Sequence, residues 1–119
     1  MSRILLIDDD VAIRDIACKV LQRSGHELQL VASAEEGLQC CAASPFHLVI
    51  TDLSLPGMPG SRFAEIVRER YPHVKILIFS GLPPDSPGED AQGGAGLAFL
   101  AKPFRPKELL SAVEEILLE

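Results

Sequence analysis

The sequence is poor in cysteine, in positive charge and in long apolar runs. Its three cysteines, Cys18, Cys40 and Cys41, form no spaced pair of the kind that binds metals. An odd number of cysteines also suits a reducing compartment better than a disulfide framework. We therefore expect them to be small packing residues of helices, in a cytoplasmic protein.

The shortage of positive charge excludes one class of partner. Eleven Lys and Arg face seventeen Asp and Glu, which gives a net charge of −6 at pH 7. A chain this acidic is unsuited to the phosphate backbone of a nucleic acid, so no direct contact with DNA or RNA is expected.

Apolar runs are short throughout, which points away from the membrane. The run over residues 4–7 ends at three aspartates, too soon for a signal peptide or a membrane span. With 119 residues, 47% of them hydrophobic, the chain is long enough for one core and little more. We predict a single domain over residues 1–119.

What the chain does contain is an alternation of strand and helix patterns, which predicts an α/β fold. Apolar runs predict buried strands at 4–7, 48–51, 74–79 and 97–100, and polar–apolar alternation predicts an edge strand at 27–31. Apolar residues at helical spacing predict helices after the first three strands and the last one. Signals for helix ends accompany them, namely Gly25, the capping box that begins at Ser33, Pro72 and Pro106.

Polar residues follow four of these strands where each one ends. Asp8, Asp9 and Asp10 follow the first predicted strand. The third, fourth and fifth strands are followed by Asp52, Ser80 and Lys102, respectively. Ligands of an open parallel sheet bind at this edge. Asp10, like Asp15, also suits the N-terminal end of the first helix.

These strand-end residues predict phosphoryl chemistry with a divalent metal ion. Crowded carboxylates repel one another unless a cation lies between them, and Asp9 and Asp52, with Asp8 further out, suit Mg²⁺. The Lys102 ammonium and the Ser80 hydroxyl suit the oxygens of a transferring phosphoryl group. An aspartate can itself act as the nucleophile and form an aspartyl phosphate.

The sequence resembles the receiver domains of two-component response regulators over nearly its whole length. The resemblance rests on the aspartate triplet after the first strand, on residues 48–60 around Asp52, on residues 76–81 and on residues 99–104. It implies a flavodoxin-like, chemotaxis-regulator-like fold: a three-layer, doubly wound, five-stranded parallel sheet of order 2-1-3-4-5.

The resemblance also implies a role for each residue. Asp52 would accept a phosphoryl group from a histidine kinase or a histidine phosphotransfer protein, and the domain would assist its own phosphorylation and dephosphorylation rather than act as an enzyme on other molecules. Mg²⁺ or Mn²⁺ would be bound by Asp9, Asp52 and the Ser54 carbonyl, with Asp8 acting through water. Lys102 would pair with the phosphoryl group and precede a cis bond to Pro103. Ser80 and Phe99 would form the conformational switch.

Two departures from the family pattern affect the expected output. Phe99 lacks the hydroxyl of the tyrosine often found there, so its switching would depend on packing. Seven prolines and glycines in residues 83–96 predict an irregular or shortened helix between the fourth and fifth strands, in the most mobile part of the chain. Contacts with an effector domain, a downstream protein or a phosphorylation-dependent homodimer would then shift to the first helix, or to the last helix and its neighbouring strand, with Phe99, Phe104 and Leu109 as apolar anchors.

Two other functions fit part of the pattern. A haloacid-dehalogenase-type phosphatase would use Asp8 as nucleophile and Asp10 beside it, but Ala12 stands where its motif needs Thr or Val, and a late acidic pair is missing. A pseudo-receiver would keep the fold as an interaction module without being phosphorylated. All the key positions are present, which disfavours it.

Overall fold

The computed structural model describes residues 2–53, 55, 57–80, 97–102 and 104–118. The five strands are β1 (Arg3–Ile7), β2 (Glu27–Val31), β3 (Leu48–Asp52), β4 (Lys75–Ser80) and β5 (Leu97–Ala101). The helices of the described residues are α1 (Val11–Arg23), α2 (Ala34–Ala43), α3 (Gly60–Arg70) and α4 (Pro106–Leu118). The strands pair in parallel in the order β2-β1-β3-β4-β5. The predicted flavodoxin-like topology, with β2 at an edge, is confirmed.

Helices cover both faces of the sheet, and successive residues of a strand point to opposite faces. Leu5 and Ile7 belong to one apolar cluster, which α2 and α3 cover, whereas Ile4 and Leu6 belong to a second cluster. The second cluster is covered by α1 and α4. The result is the predicted three-layer arrangement. Because the helices cover the faces of the sheet, a binding site can form at the C-terminal ends of the strands.

Local signals in the sequence account for where the helices begin and end. Asp10 is the N-cap of α1, where its carboxylate accepts hydrogen bonds from the N–H groups of Ala12 and Ile13. The predicted cap at α2 is present, since Ser33 Oγ accepts from the Glu36 N–H; Glu36 Oε1 in turn accepts from the N–H of Ala32, the residue before the N-cap. These caps confirm the predicted starts of both helices.

Some predictions fall outside the described residues, and one is wrong. These predictions concern the irregular or shortened helix in residues 83–96, the Ser54 carbonyl and the cis bond to Pro103, all of which lie outside the described ranges. Phe104 and Leu109 are buried in the core, so neither can be the apolar anchor for a partner that the sequence suggested. Phe104 instead packs against the Phe79 ring, and Leu109 lies on the buried face of α4, because burial removes both apolar side chains from water.

Other sequence predictions concern the cysteines and the membrane. Cys41 is buried and Cys40 packs against the same cluster, as expected of helix-packing residues, and the three cysteines are free thiols. Burial raises the pKa of the Cys41 thiol to about 11. None of the helices in the described ranges is long and apolar enough to cross a membrane.

Candidate functional site

The strand order brings the polar strand-end residues to one edge of the sheet. Asp8 directly follows β1, and Asp52 ends β3, the strand next to β1. Ser80 ends β4, and Lys102 directly follows β5. Since all strands are parallel, their C-terminal ends meet at the same edge, where open α/β sheets bind ligands.

At this edge the Lys102 ammonium lies between two carboxylates. Lys102 Nζ is 2.9 Å from Asp52 Oδ2 and 3.4 Å from Asp8 Oδ2. The Asp8 side chain has no exposed surface, whereas 15% of the Asp52 side chain and 21% of the Lys102 side chain are exposed. Asp52 is therefore the carboxylate of the pair that an external group can reach.

Asp9 completes an acidic cluster with the two paired aspartates. One carboxylate oxygen from each of Asp8, Asp9 and Asp52 lies within 4.8 Å of the others. Asp9 is exposed, so the cluster opens to solvent on its side. An all-oxygen donor set that is open on one side suits a hard divalent cation that keeps some of its waters.

Burial and charge shift the pKa values of two groups in this cluster. Removal from water raises the pKa of Asp8, although the Asp10 N–H and the Lys102 charge act in the opposite direction. Burial alone would lower the pKa of Lys102, but its hydrogen bond to Asp52 and the charges of both aspartates outweigh that effect and raise it. Lys102 is therefore a permanent positive charge at neutral pH.

Backbone hydrogen bonds hold the strand ends in place. The Asp10 N–H donates to Asp8 Oδ1 at 2.9 Å, and the Lys102 N–H donates to the Ser80 carbonyl at 2.7 Å. The Leu53 N–H donates to the Phe79 carbonyl at 2.9 Å. Because these bonds join the ends of β3 and β5 to the end of β4 and orient the Asp8 carboxylate, the carboxylates and the ammonium are preorganised for a charged ligand.

This arrangement can accept a phosphoryl group. It offers one reachable carboxylate as nucleophile, a fixed ammonium beside it and an acidic cluster that suits a metal ion. The model of the response regulator receiver domain family matches residues 4–114. The chain belongs to this family. Phosphorylation on an aspartate is the general function of its members.

Curated relatives of this receiver domain are response regulators. The response regulator protein FleR of Pseudomonas aeruginosa is 35% identical over 94% of this chain, which spans only 24% of FleR. The response regulator receiver protein CpdR of Brucella abortus is 32% identical, and the match covers 99% of this chain and 98% of CpdR. Receiver domains thus occur among the relatives both alone and within longer proteins.

Solved receiver structures share the whole fold. The chemotaxis response regulator CheY4 of Vibrio cholerae is 29% identical with a TM-score of 0.86, and the match covers 98% of each chain. The response regulator TrrA of Thermotoga maritima, solved in complex with Mg²⁺ and beryllium fluoride, is 28% identical with a TM-score of 0.83. That match covers 98% of this chain and 99% of TrrA.

The two predicted switch residues of this receiver domain lie on neighbouring strands. Ser80 is fully buried at the end of β4, opposite Ala101 of β5. Phe99 is half-buried on β5, opposite Ile78, and packs against the cluster under α2 and α3. Of the other predicted site residues, Asp8, Asp9, Asp52 and Lys102 are together, and Ser54 lies outside the described residues.

Sequence reasoning missed the aromatic floor of the site. The Phe79 ring is fully buried beside Phe104, with ring centroids 4.7 Å apart, and Lys102 Nζ lies 6.0 Å from the Phe79 centroid. In the sequence, Phe79 resembles any other apolar strand residue. Its position directly before Ser80 could have indicated a place beside the site, because side chains near the C-terminal ends of the strands border the site.

Proposed function

We propose that this receiver domain accepts a phosphoryl group on Asp52 from a phosphohistidine of a histidine kinase or a histidine phosphotransfer protein. The observation that carries the proposal is the contact of the partly exposed Asp52 carboxylate with Lys102 Nζ, at 2.9 Å. Asp8, the other carboxylate on Lys102, has no exposed surface from which to attack.

In the proposed transfer, an Asp52 carboxylate oxygen attacks phosphorus as the phosphorus–nitrogen bond of the phosphohistidine breaks. The imidazole leaves with the bonding electron pair and takes up a proton. Lys102 offsets the charge on the phosphoryl oxygens. Water later attacks the aspartyl phosphate, which restores the Asp52 carboxylate and releases inorganic phosphate, so the domain limits the lifetime of its own signal.

A divalent metal ion fits this site because the three grouped ligands are carboxylates. Asp9 and Asp52 would bind Mg²⁺ or Mn²⁺ directly, and Asp8 would act through water. The Ser54 carbonyl is the further ligand that the family resemblance suggests. The ion supplies positive charge that neutralises the phosphoryl oxygens during transfer.

The proposed output is a conformational switch. The Ser80 hydroxyl donates a hydrogen bond to the phosphoryl group. The ends of β4 and β5 then adopt a second conformation in which the Phe99 side chain packs differently. The Lys102 N–H on the Ser80 carbonyl couples the two strands directly. An effector domain, a downstream protein or a second phosphorylated copy of the chain then binds to the changed surface.

The groove between α1 and α4 is the docking surface that we assign to the phosphodonor. It has a volume of about 360 Å³ and an apolar floor that includes Ile16 and Leu110. Lys19, Arg23 and Lys107 line the same groove and form no ion pair within the described residues. On a chain of net charge −6, this local excess of positive charge favours an acidic partner surface.

The nucleophile is tested by replacing Asp52. We expect Asp52→Asn to fold and to gain no phosphoryl group from acetyl phosphate with Mg²⁺, as read by intact mass. Asp15→Asn removes an exposed carboxylate of α1 and should be phosphorylated like the wild type. Continued labelling of Asp52→Asn would revive Asp8 as nucleophile, and an unlabelled wild type would favour the pseudo-receiver.

A further inference from the structure

Helix α3 begins unusually close to the backbone of the proposed phosphoacceptor. The N-cap of α3 is Pro59, which makes no side-chain capping hydrogen bond. The first N–H of the helix, from Gly60, instead donates to the Leu53 carbonyl at 2.8 Å. Leu53 directly follows Asp52, so the start of α3 is attached to the end of β3.

Gly60 is the residue that permits this approach. A Cβ placed on Gly60 would overlap the Asp52 carbonyl oxygen and would lie 2.9 Å from both the Asp52 carbonyl carbon and Leu53 Cα. These are backbone atoms, which cannot rotate aside as the end of a side chain can. Any side chain at position 60 therefore moves α3 or the peptide group between Asp52 and Leu53.

That peptide group is held from other directions as well. The Leu53 N–H donates to the Phe79 carbonyl of β4, and Thr51 Oγ1 donates to the Asp52 carbonyl at 3.0 Å. The direction of the Asp52 carboxylate, and with it the 2.9 Å contact to Lys102, depends on how this peptide is oriented. A shift imposed at Gly60 is thus passed to the carboxylate.

We propose that Gly60 is a positioning residue for phosphoryl transfer: its lack of a side chain fixes the Asp52 backbone, and hence the line of attack of the carboxylate. This inference rests on the proposed function, because it concerns the same aspartate. It predicts that a methyl group at position 60 harms transfer far more than it harms folding, since a misplaced nucleophile loses the in-line geometry.

The test compares Gly60→Ala with Gly25→Ala. Gly25, in the turn between α1 and β2, has a φ of +86°, and a Cβ added to it would have no atom within 4 Å. Its replacement therefore strains the backbone without crowding any neighbouring atom. For each protein, the rate of labelling by acetyl phosphate, the Mg²⁺ dissociation constant from calorimetry and the Tm are measured at a temperature where all are folded.

We expect Gly60→Ala to be labelled at least about tenfold more slowly than the wild type and to bind Mg²⁺ more weakly. Gly25→Ala should lose Tm but keep both properties within about twofold, a difference under 0.5 kcal/mol. Wild-type-like labelling of Gly60→Ala, or equal losses in the two variants, would overturn the inference. A failure of the wild type to be labelled would instead count against the proposed function.

A measurement on the wild type decides the case if Gly60→Ala does not fold. Hydrogen exchange of the Gly60 N–H is followed with and without beryllium fluoride and Mg²⁺. If the start of α3 positions Asp52, then a ligand on Asp52 must in turn stabilise the Gly60–Leu53 hydrogen bond, so protection should rise. Unchanged or lower protection would contradict the coupling.

Discussion

At the residue level, burial of Asp8 makes the ionised form of its carboxylate energetically unfavourable. Its carboxylate is fully buried, and burial raises its pKa above the usual value of 3.8. As pH rises past that value, the unfolded chain releases this proton before the folded chain does. The free energy of unfolding therefore falls as pH rises through the folded pKa of Asp8, and the loss persists at neutral pH.

This sign predicts that Asp8→Asn stabilises the metal-free protein. The amide oxygen still accepts from the Asp10 N–H, and Lys102 keeps its contact with Asp52. We expect a gain of about 1 kcal/mol at pH 7, or a Tm higher by about 4 °C, that shrinks as the pH falls towards 4. Thermal unfolding in the presence of a chelator, from pH 4 to pH 8, measures it. A lower Tm at pH 7 would show that the Lys102 pair outweighs the burial of Asp8.

At the scale of elements, α1 and α4 combine a core face with a groove that neither helix forms alone. The buried face of α1 includes Ala17 and Leu21, and that of α4 includes Val113 and Ile116. Their outer sides meet in the groove lined by Lys19, Arg23 and Lys107. Such exposed charges affect the rate of association with a partner more than the stability of the fold.

Charge reversal in this groove should therefore slow phosphoryl transfer from a protein donor but not from a small-molecule donor. We expect the double variant Lys19→Glu, Arg23→Glu to accept phosphoryl groups at least about tenfold more slowly from the phosphorylated histidine kinase that labels the wild type best in a purified panel. Labelling by acetyl phosphate should stay unchanged, because this small donor needs no docking surface.

A matched control separates this effect from net charge. Arg68→Glu with Arg70→Glu reverses two exposed charges near the end of α3, on the other face of the sheet. This control should be labelled by the kinase like the wild type. Equal slowing of the two double variants would place the phosphodonor elsewhere.

At the scale of the whole molecule, a metal ion at the acidic cluster should couple to the stability of the fold. Asp8 and Asp9 follow β1, and they meet Asp52 at the end of β3 only when β1 and β3 pair. An ion bound there favours the folded state by mass action, by about 2.7 kcal/mol at a concentration one hundred times its dissociation constant.

Mg²⁺ should therefore raise the Tm of the wild type in a concentration-dependent way. Asp9→Asn removes an exposed ligand without disturbing the core, so its Tm should respond to Mg²⁺ only at higher concentrations. Asp15→Asn, in the first half of α1 but outside the cluster, serves as the control and should respond fully. If the Tm of the wild type does not change with Mg²⁺ concentration, the acidic cluster is not a metal site.

Local patterns in the sequence were sufficient to predict the elements and the residue types at their ends. Apolar runs and, for β2, polar–apolar alternation are local patterns, and they were enough to predict the five strands. Ser33 and Glu36 form a local cap, which was enough to predict the start of α2. The alternation of strands and helices predicted a parallel sheet, and with it the expectation that Asp8, Asp52, Ser80 and Lys102 share one edge. The order of the strands followed from the family resemblance.

The depth at which each of these residues is buried, and the groups that it contacts, depend on how the elements pack together. The burial of Asp8, the Phe79 ring beneath Lys102 and the burial of Phe104 depend on neighbours far away in the chain. The contact of Gly60 with the Asp52 backbone is of the same kind, since it is set by how α3 docks on the sheet. Local patterns show which face of an element is apolar. Close packing between elements sets the distances between their side chains and backbone atoms to fractions of an ångström. Those distances determine the electrostatics and the reactivity of the site.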